Sequence, residues 1–133
     1  MTSAEVIDAD GFVITPAVVL AAYRHGCFPM ADARVGRLRW YRPELRAIIT
    51  WDRWKVPKSL EKVARNRQPY QITFDLAFAR VITACAQRES TWISGDIEAL
   101  YVTLHHQGHG HSVEAWDANG DLVGGCYGLA IGG

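Results

Sequence analysis

Cysteine is scarce: Cys27, Cys85 and Cys126 are an odd number, far apart, in a chain of 133 residues. They supply neither a disulfide framework nor a CxxC zinc knuckle, so the composition reads as a reduced, cytoplasmic protein. No apolar run approaches the roughly 18 residues that a membrane-spanning helix needs. The start, "MTSAEVIDADGF", is acidic and shows no basic region followed by an apolar stretch, so no secretory signal is visible. Internal repeats and low-complexity tracts are missing too. With 49% hydrophobic and 21% charged residues, the remainder is ordinary globular composition.

Net charge is also lacking, but the zero is composed of two opposite halves. Eleven of the fourteen Lys and Arg lie between Arg34 and Arg67, where the only acids are Glu44, Asp52 and Glu61. That span carries +8 and everything else −8. Trp40, Tyr41, Trp51 and Trp54 are interleaved with the cations. The pattern suits a polyanion with stackable bases, and it equally suits a solvated basic face.

Local signals predict a mixed order of elements. Thr15-Pro16 reads as N-cap and first residue of a helix that stops at Gly26. "CFPMADARVG" reads as a loop, and "RLRWYRP" and "RAIITW" as strands parted by Pro43. "VPKSLEKVARN" reads as a helix with Lys58, Lys62 and Arg65 on one face and Leu60 and Val63 turned inward. After the strand "YQITF", Asp75 is placed to cap "LAFARVITACAQ", with Leu76, Ala79, Val81, Ile82 and Cys85 as its apolar side. Ser94 caps "GDIEALYVTLHHQ", which buries Ile97, Leu100 and Leu104 and ends at Gly108. A hairpin around Asn119-Gly120 follows. Helices and a small sheet in this order predict an α+β fold.

Four histidines crowd into residues 105–111. His105 and His109 are spaced i, i+4, but Gly108 interrupts the helix between them and no third ligand or HExxH motif accompanies them. Imidazolium at a helix C-terminus is favoured by the helix dipole by about 0.3–1 kcal/mol. The expectation is therefore no metal site.

"YRHGCFPM", "STWIS", "LYVTLHHQGHGHSVEAW" and "LVGGCYGLAIGG" together resemble the leucyl/phenylalanyl-tRNA–protein transferase family, from about Gly11 to the last residue. The resemblance implies a small N-terminal domain over residues 1–44, then the first half of a GNAT-like acyltransferase domain over residues 45–133. It implies transfer of Leu, Phe or sometimes Met from aminoacyl-tRNA to the N-terminal Lys or Arg of acceptor proteins, marking them for degradation by the N-end rule. No cofactor, metal or membrane is implied. It places Tyr23, Met30, Trp92 and Tyr101 around the aminoacyl-adenosine, and Lys58, Lys62 and Arg65 on a tRNA-facing helix. At Met30 some relatives carry Trp, and Met offers contact without a flat ring. Read from the residues alone, Trp92 and Tyr101 also suit plain core packing.

The family's catalytic carboxylate and its glutamine partner are expected past Gly133. Glu114 and Asp96 are poor substitutes, Asp96 because it lies in the first turn of a helix. The expectation is accordingly a fragment that transfers nothing by itself and is marginally stable or self-associating. A non-catalytic tRNA-binding module is the second reading. An acetyl-CoA-dependent enzyme would need a glycine-rich pyrophosphate loop opening a helix, and "GDLVGGCYG" reads as a hairpin strand instead.

Overall fold

The computed structural model describes residues 5–33, 36–65 and 70–132. Arg34 and Arg67, the ends of the basic span, and Asn66, the expected end of the basic helix, lie outside the described residues. The fold is α+β. Short strands β1 (Val6–Ile7) and β2 (Val13–Ile14) pair antiparallel and lead into helix α1 (Pro16–Arg24). Thr15 caps α1 by accepting from the Val18 N–H, with Pro16 at its first position, as the sequence predicts.

The segment read as a loop contains strand β3 (Phe28–Ala31), which pairs antiparallel with β4 (Leu38–Tyr41). Pro29 stands inside this strand, although proline cannot donate to a ladder. Its register resolves the conflict. Pro29 has the same parity as Ala31, whose N–H turns away from β4 and donates to the Trp92 carbonyl at 3.0 Å. Proline here costs the ladder nothing. The N-terminal strands are tied to this ribbon by Asp8, a buried carboxylate that accepts from Trp40 Nε1 at 3.1 Å and from the Phe12 N–H at 2.9 Å.

"RAIITW" is not a strand: a single 3₁₀ turn, Trp51–Arg53, starts at its last residue, and Leu45, Ile48, Ile49 and Trp51 are exposed. Its β-branched residues satisfy the local preference, but no partner strand lies beside them among the described residues. Helix α2 (Lys58–Arg65) forms as expected, yet buries nothing. Leu60 and Val63, expected to face inward, are 55% and 42% exposed.

Strand β5 (Gln71–Phe74) opens a three-stranded antiparallel sheet, completed by β6 (Gly110–Trp116) and β7 (Leu122–Leu129) in the order β5-β6-β7. Helices α3 (Phe78–Ala86) and α4 (Gly95–His106) cover one face of it. Ser94 caps α4 and Gly108 stops it at φ +85°, a left-handed conformation that suits glycine. Gly125 is what lets α3 lie so close: a Cβ there would meet the Val81 side chain at 3.1 Å and the Val113 carbonyl at 3.0 Å. One cluster of buried residues joins Ile14, Val19, Leu20, Ala31 and Leu38 to Phe78, Ile82, Ile97, Leu100, Tyr101 and Leu104. Among the described residues no helix is long and apolar enough to cross a membrane.

The start of α3 departs from its expected capping. Asp75 sits at φ +55°, which turns its carboxylate away from the helix and onto β6. There it accepts from the Ser112 N–H at 2.9 Å and pairs with His111 Nδ1 at 2.8 Å. The orphan N–H groups of Leu76 and Ala77 are taken by Glu114, reaching across from the middle of β6. Consequently Leu76 and Ala79, expected on the apolar side, are exposed, and Phe78, Val81, Ile82 and Ala86 form the buried stripe.

The Asp75–His111 pair sets a pH signature. The hydrogen bond from His111, then that from Ser112, hold the Asp75 carboxyl below its usual range. The bond to Asp75 raises the His111 imidazole above its usual value. A raised imidazole stabilises fully below its unfolded value of about 6.5 and stops doing so as pH rises through its folded value. A depressed carboxyl stabilises above about 3.9 and stops as pH falls through its folded value. The pair therefore contributes most between about pH 4 and 6.5. His111→Gln is expected to lower the melting temperature most near pH 5.5 and least at pH 8–9. A pH-independent difference in thermal melts would refute this. The effect is small, because both side chains are nearly half exposed.

Candidate functional site

Three of the four residues that the resemblance places around the aminoacyl group converge on one cavity. Tyr23 comes from the last turn of α1, Trp92 from the turn between α3 and α4, and Tyr101 from the buried side of α4. The cavity, of about 380 Å³, is completed by Cys85, Arg88, Tyr127 and the turn residues 90–93. The sequence builds it locally. Ser94 fixes where α4 begins, so the preceding Thr91-Trp92-Ile93 must turn. Thr91 tightens that turn by accepting from the Ile93 N–H at 3.1 Å. The Trp92 carbonyl is held by β3, and the residue remains 40% exposed.

The floor is a set of phenols. The Tyr23 and Tyr101 hydroxyls share a hydrogen bond of 2.6 Å, and their rings meet edge to face at 6.4 Å. Tyr127, on β7, packs edge-on against Tyr101 at 5.9 Å and against Phe78 at 5.8 Å. Its hydroxyl is buried and has no hydrogen-bond partner among the described residues. Burial pushes all three phenols above the ordinary tyrosine value, and for Tyr101 the adjacent Tyr23 adds to the push. They are neutral throughout the physiological range and act as hydrogen-bonding groups, not bases. Burial likewise raises the Cys85 thiol above its ordinary value. Arg88 is the one cation that lines the cavity, and no carboxylate lines it among the described residues.

Tyr127 and Arg88 escaped the sequence reading. Tyr127 lies in "LVGGCYGLAIGG", and the hairpin register could have found it: it pairs with Ser112, which shares the inner face of β6 with Glu114. Nothing in the sequence marks Arg88.

Met30 is not among the lining residues. It sits on β3 opposite Arg39, partly exposed. Lys58, Lys62 and Arg65 lie on α2, all exposed and all outside the cavity. Successive offsets of four and three residues put the three cations on one side of that helix.

Two of the four crowded histidines are held by neighbours. His105 stacks on Phe78 at 4.6 Å with rings nearly parallel, and its Nδ1 bonds the Gly110 carbonyl at 2.9 Å. His111 holds Asp75. Glu114, 0% exposed, accepts four hydrogen bonds, two on each carboxylate oxygen.

A family model described as leucyl/phenylalanyl-tRNA protein transferase matches residues 48–133, and that family's N-terminal domain matches residues 13–44. The chain belongs to this family. A leucyl/phenylalanyl-tRNA–protein transferase of Akkermansia muciniphila is 47% identical over 123 residues, which are 90% of this chain and 63% of that relative. One from Gloeobacter violaceus is 45% identical over 120 residues, 90% of this chain and 61% of its own. One from Salinibacter ruber is 43% identical over 118 residues, 89% of this chain and 51% of its own. The chain thus spans less than two thirds of the length of these curated relatives.

Proposed function

We propose that the chain holds the aminoacylated 3′ end of a tRNA for transfer of Leu, Phe or Met to the N-terminal Lys or Arg of an acceptor protein in the cytoplasm, in the N-end rule of degradation. The observation that carries this reading is the convergence of Tyr23, Trp92 and Tyr101 on one cavity. An aminoacyl ester is already activated, so the chemistry mainly asks for positioning beside a free amine and for hydrogen bonds to the developing oxyanion. The exposed Trp92 ring supplies a stacking face for the terminal adenine. The neutral phenols of Tyr23 and Tyr101 offer hydrogen bonds to the ester and ribose, and Arg88 suits the terminal phosphate. Met30 stands outside the lining residues. The cationic side of α2 would follow the tRNA backbone. An apolar pocket separates side chains by only about 1–3 kcal/mol per methylene-sized difference, so accepting both Leu and Phe is physically natural.

We read residues 1–44 as a small N-terminal domain and 45–133 as part of a GNAT-like acyltransferase domain. The two family matches, which fall on either side of residues 45–47, support that division.

The second reading, a tRNA-binding module without transfer, draws on one feature: no carboxylate lines the cavity among the described residues, so none is there to take the proton from the acceptor amine. Transfer of labelled Phe to an N-terminal Arg peptide separates the two.

Binding itself is tested with an amide-linked phenylalanyl-adenosine, which cannot transfer. Titration followed by tryptophan fluorescence is expected to show saturable binding that Trp92→Ala weakens at least tenfold, about the worth of one stacked base. Absence of binding, or equal binding by the variant, would overturn the reading.

A further inference from the structure

The cavity meets α3 near its C-terminal end, at Cys85. A second cleft, of about 500 Å³, opens at the N-terminal end of the same helix. It is lined by Phe78 and Arg80 of α3, Val102, His105 and His106 of α4, and Trp116 at the end of β6. The two spaces share no lining residue. The cleft is cationic: no Asp or Glu lines it among the described residues. Arg80 Cζ lies 5.0 Å from the centre of the Trp116 ring. A guanidinium over a ring uses its flat face and leaves its N–H edge free. The contact also restricts the side chain, so less freedom is lost when an anion binds. No carboxylate pairs with Arg80 among the described residues. The helix end itself offers little, because the Leu76 and Ala77 N–H groups are spent on Glu114. His105 Nδ1 is bonded to the Gly110 carbonyl, and the exposed His106 ring lies 5.6 Å from the His105 ring. Asp75 stands 4.0 Å from that Nδ1, but its oxygens are committed to His111 and the Ser112 N–H.

We propose that this cleft is a second ligand site and binds a nucleotide, its phosphate on Arg80 and the imidazole edges, its base on the wall of Val102 and Trp116. A space of this volume suits a small organic ligand. The planar fork of a guanidinium matches a phosphate, and ring N–H groups beside it add donors. A wall of aromatic and apolar side chains favours a flat partner, which a base supplies with its π-face. Phosphate and base are joined in one molecule only in a nucleotide or a nucleic-acid strand. A free mononucleotide and an unpaired nucleotide of an RNA strand present the same groups to the cleft. The inference is independent of the reading of the cavity, with which the cleft shares no side chain.

The test titrates adenosine 5′-monophosphate into the Trp92→Ala variant, in which the cavity is weakened as a competitor. Binding is followed by nuclear magnetic resonance at the Trp116 indole N–H, a signal assigned by its loss in Trp116→Phe. Saturable movement of that signal is expected. Arg80→Gln is expected to weaken it about tenfold, the worth of one charge-assisted hydrogen bond. Arg80 is exposed, so this variant keeps its circular dichroism spectrum. His106→Gln is expected to cost less. Adenosine, which lacks the phosphate, and ribose 5-phosphate, which lacks the base, are each expected to bind more weakly than the nucleotide. The proposal is overturned if the Trp116 signal stays still, if Arg80→Gln binds as tightly, or if either half-molecule matches the whole. A short single-stranded oligoribonucleotide separates the two sources. Tighter binding than the mononucleotide at the same signal assigns the cleft to RNA, and weaker binding assigns it to a free nucleotide. Failure here leaves binding of phenylalanyl-adenosine by the Trp92 cavity untouched.

Discussion

Glu114→Ala is expected to remove about 3–4 kcal/mol of stability, a large share of the 5–15 kcal/mol that holds a domain together. The side chain is 0% exposed and occupies the middle of β6. Its two oxygens accept from Ser112 Oγ at 2.5 Å, Thr73 Oγ1 at 2.6 Å, the Ala77 N–H at 3.2 Å and the Leu76 N–H at 3.4 Å. Truncation strands donors from two strands and a helix start at once. Each buried unsatisfied group costs about 1–3 kcal/mol, and the total is less than the sum because water can enter the vacated space. Thr73 also receives Trp116 Nε1 at 2.8 Å, so the indole loosens with it. Burial pushes the Glu114 carboxyl upward, but the bonds from Ser112, Thr73, Ala77 and Leu76 outweigh it, and the group ends below its usual value. A depressed carboxyl stabilises above its unfolded value of about 4.3 and loses that contribution as pH falls through its folded value. Glu114→Gln keeps the shape but offers one acceptor oxygen and two unwanted donors. Its loss is expected to be about half that of alanine at pH 7 and to shrink in acid. Thermal and urea melts of both variants check this; a midpoint unchanged on alanine substitution would refute the linchpin role.

Glu114 also shows where reading the chain alone stops. The ends of α1 and α4 and the β6–β7 turn were legible because each is set by neighbours in sequence: Thr15 with Pro16, Ser94, Gly108 and Asn119-Gly120. Asp75 looked like the cap of α3 by the same logic. The actual cap comes from a residue 37 positions away at Ala77, and no local pattern encodes that. Strand β3, read as a loop, contains Pro29, whose harmlessness depends on which edge faces β4. Residues 46–51 failed in the opposite sense, having strand preference without a strand beside them among the described residues. Leu60 and Val63 alternate correctly with the cations of α2, but periodicity cannot say whether anything covers the apolar side. At the cavity, the aromatic residues posed a choice between core packing and ligand contact, and Tyr101 turns out to do one while lining the space for the other. It is 2% exposed and belongs to the central cluster, yet its ring borders the cavity. Tyr127 needed the hairpin register before it could be seen beside it.

Neutralising Lys58, Lys62 and Arg65 together is expected to weaken tRNA binding about 100-fold at low salt. It should also flatten the dependence of log K on log salt by about 2–3 units. Each phosphate contact made by a cation releases counterions and contributes roughly 0.7–0.9 to that slope, whatever the sequence of the nucleic acid. Helix α2 buries none of its side chains, so Lys58→Ala, Lys62→Ala and Arg65→Ala leave the core untouched and the melting temperature nearly constant. Helix propensity works in the same direction, since alanine is the best helix former. Trp92→Ala is the informative partner: it removes a stacking surface without removing charge, so it lowers affinity for aminoacylated RNA and leaves the slope alone. The two effects should add in the double comparison, because α2 contributes nothing to the lining of the cavity that holds Trp92. A slope unchanged by loss of the three cations would mean that the helix faces solvent and not the phosphate backbone. The excess positive charge between Arg37 and Arg65 would then serve solubility, while the cavity could still hold an aminoacyl-adenosine.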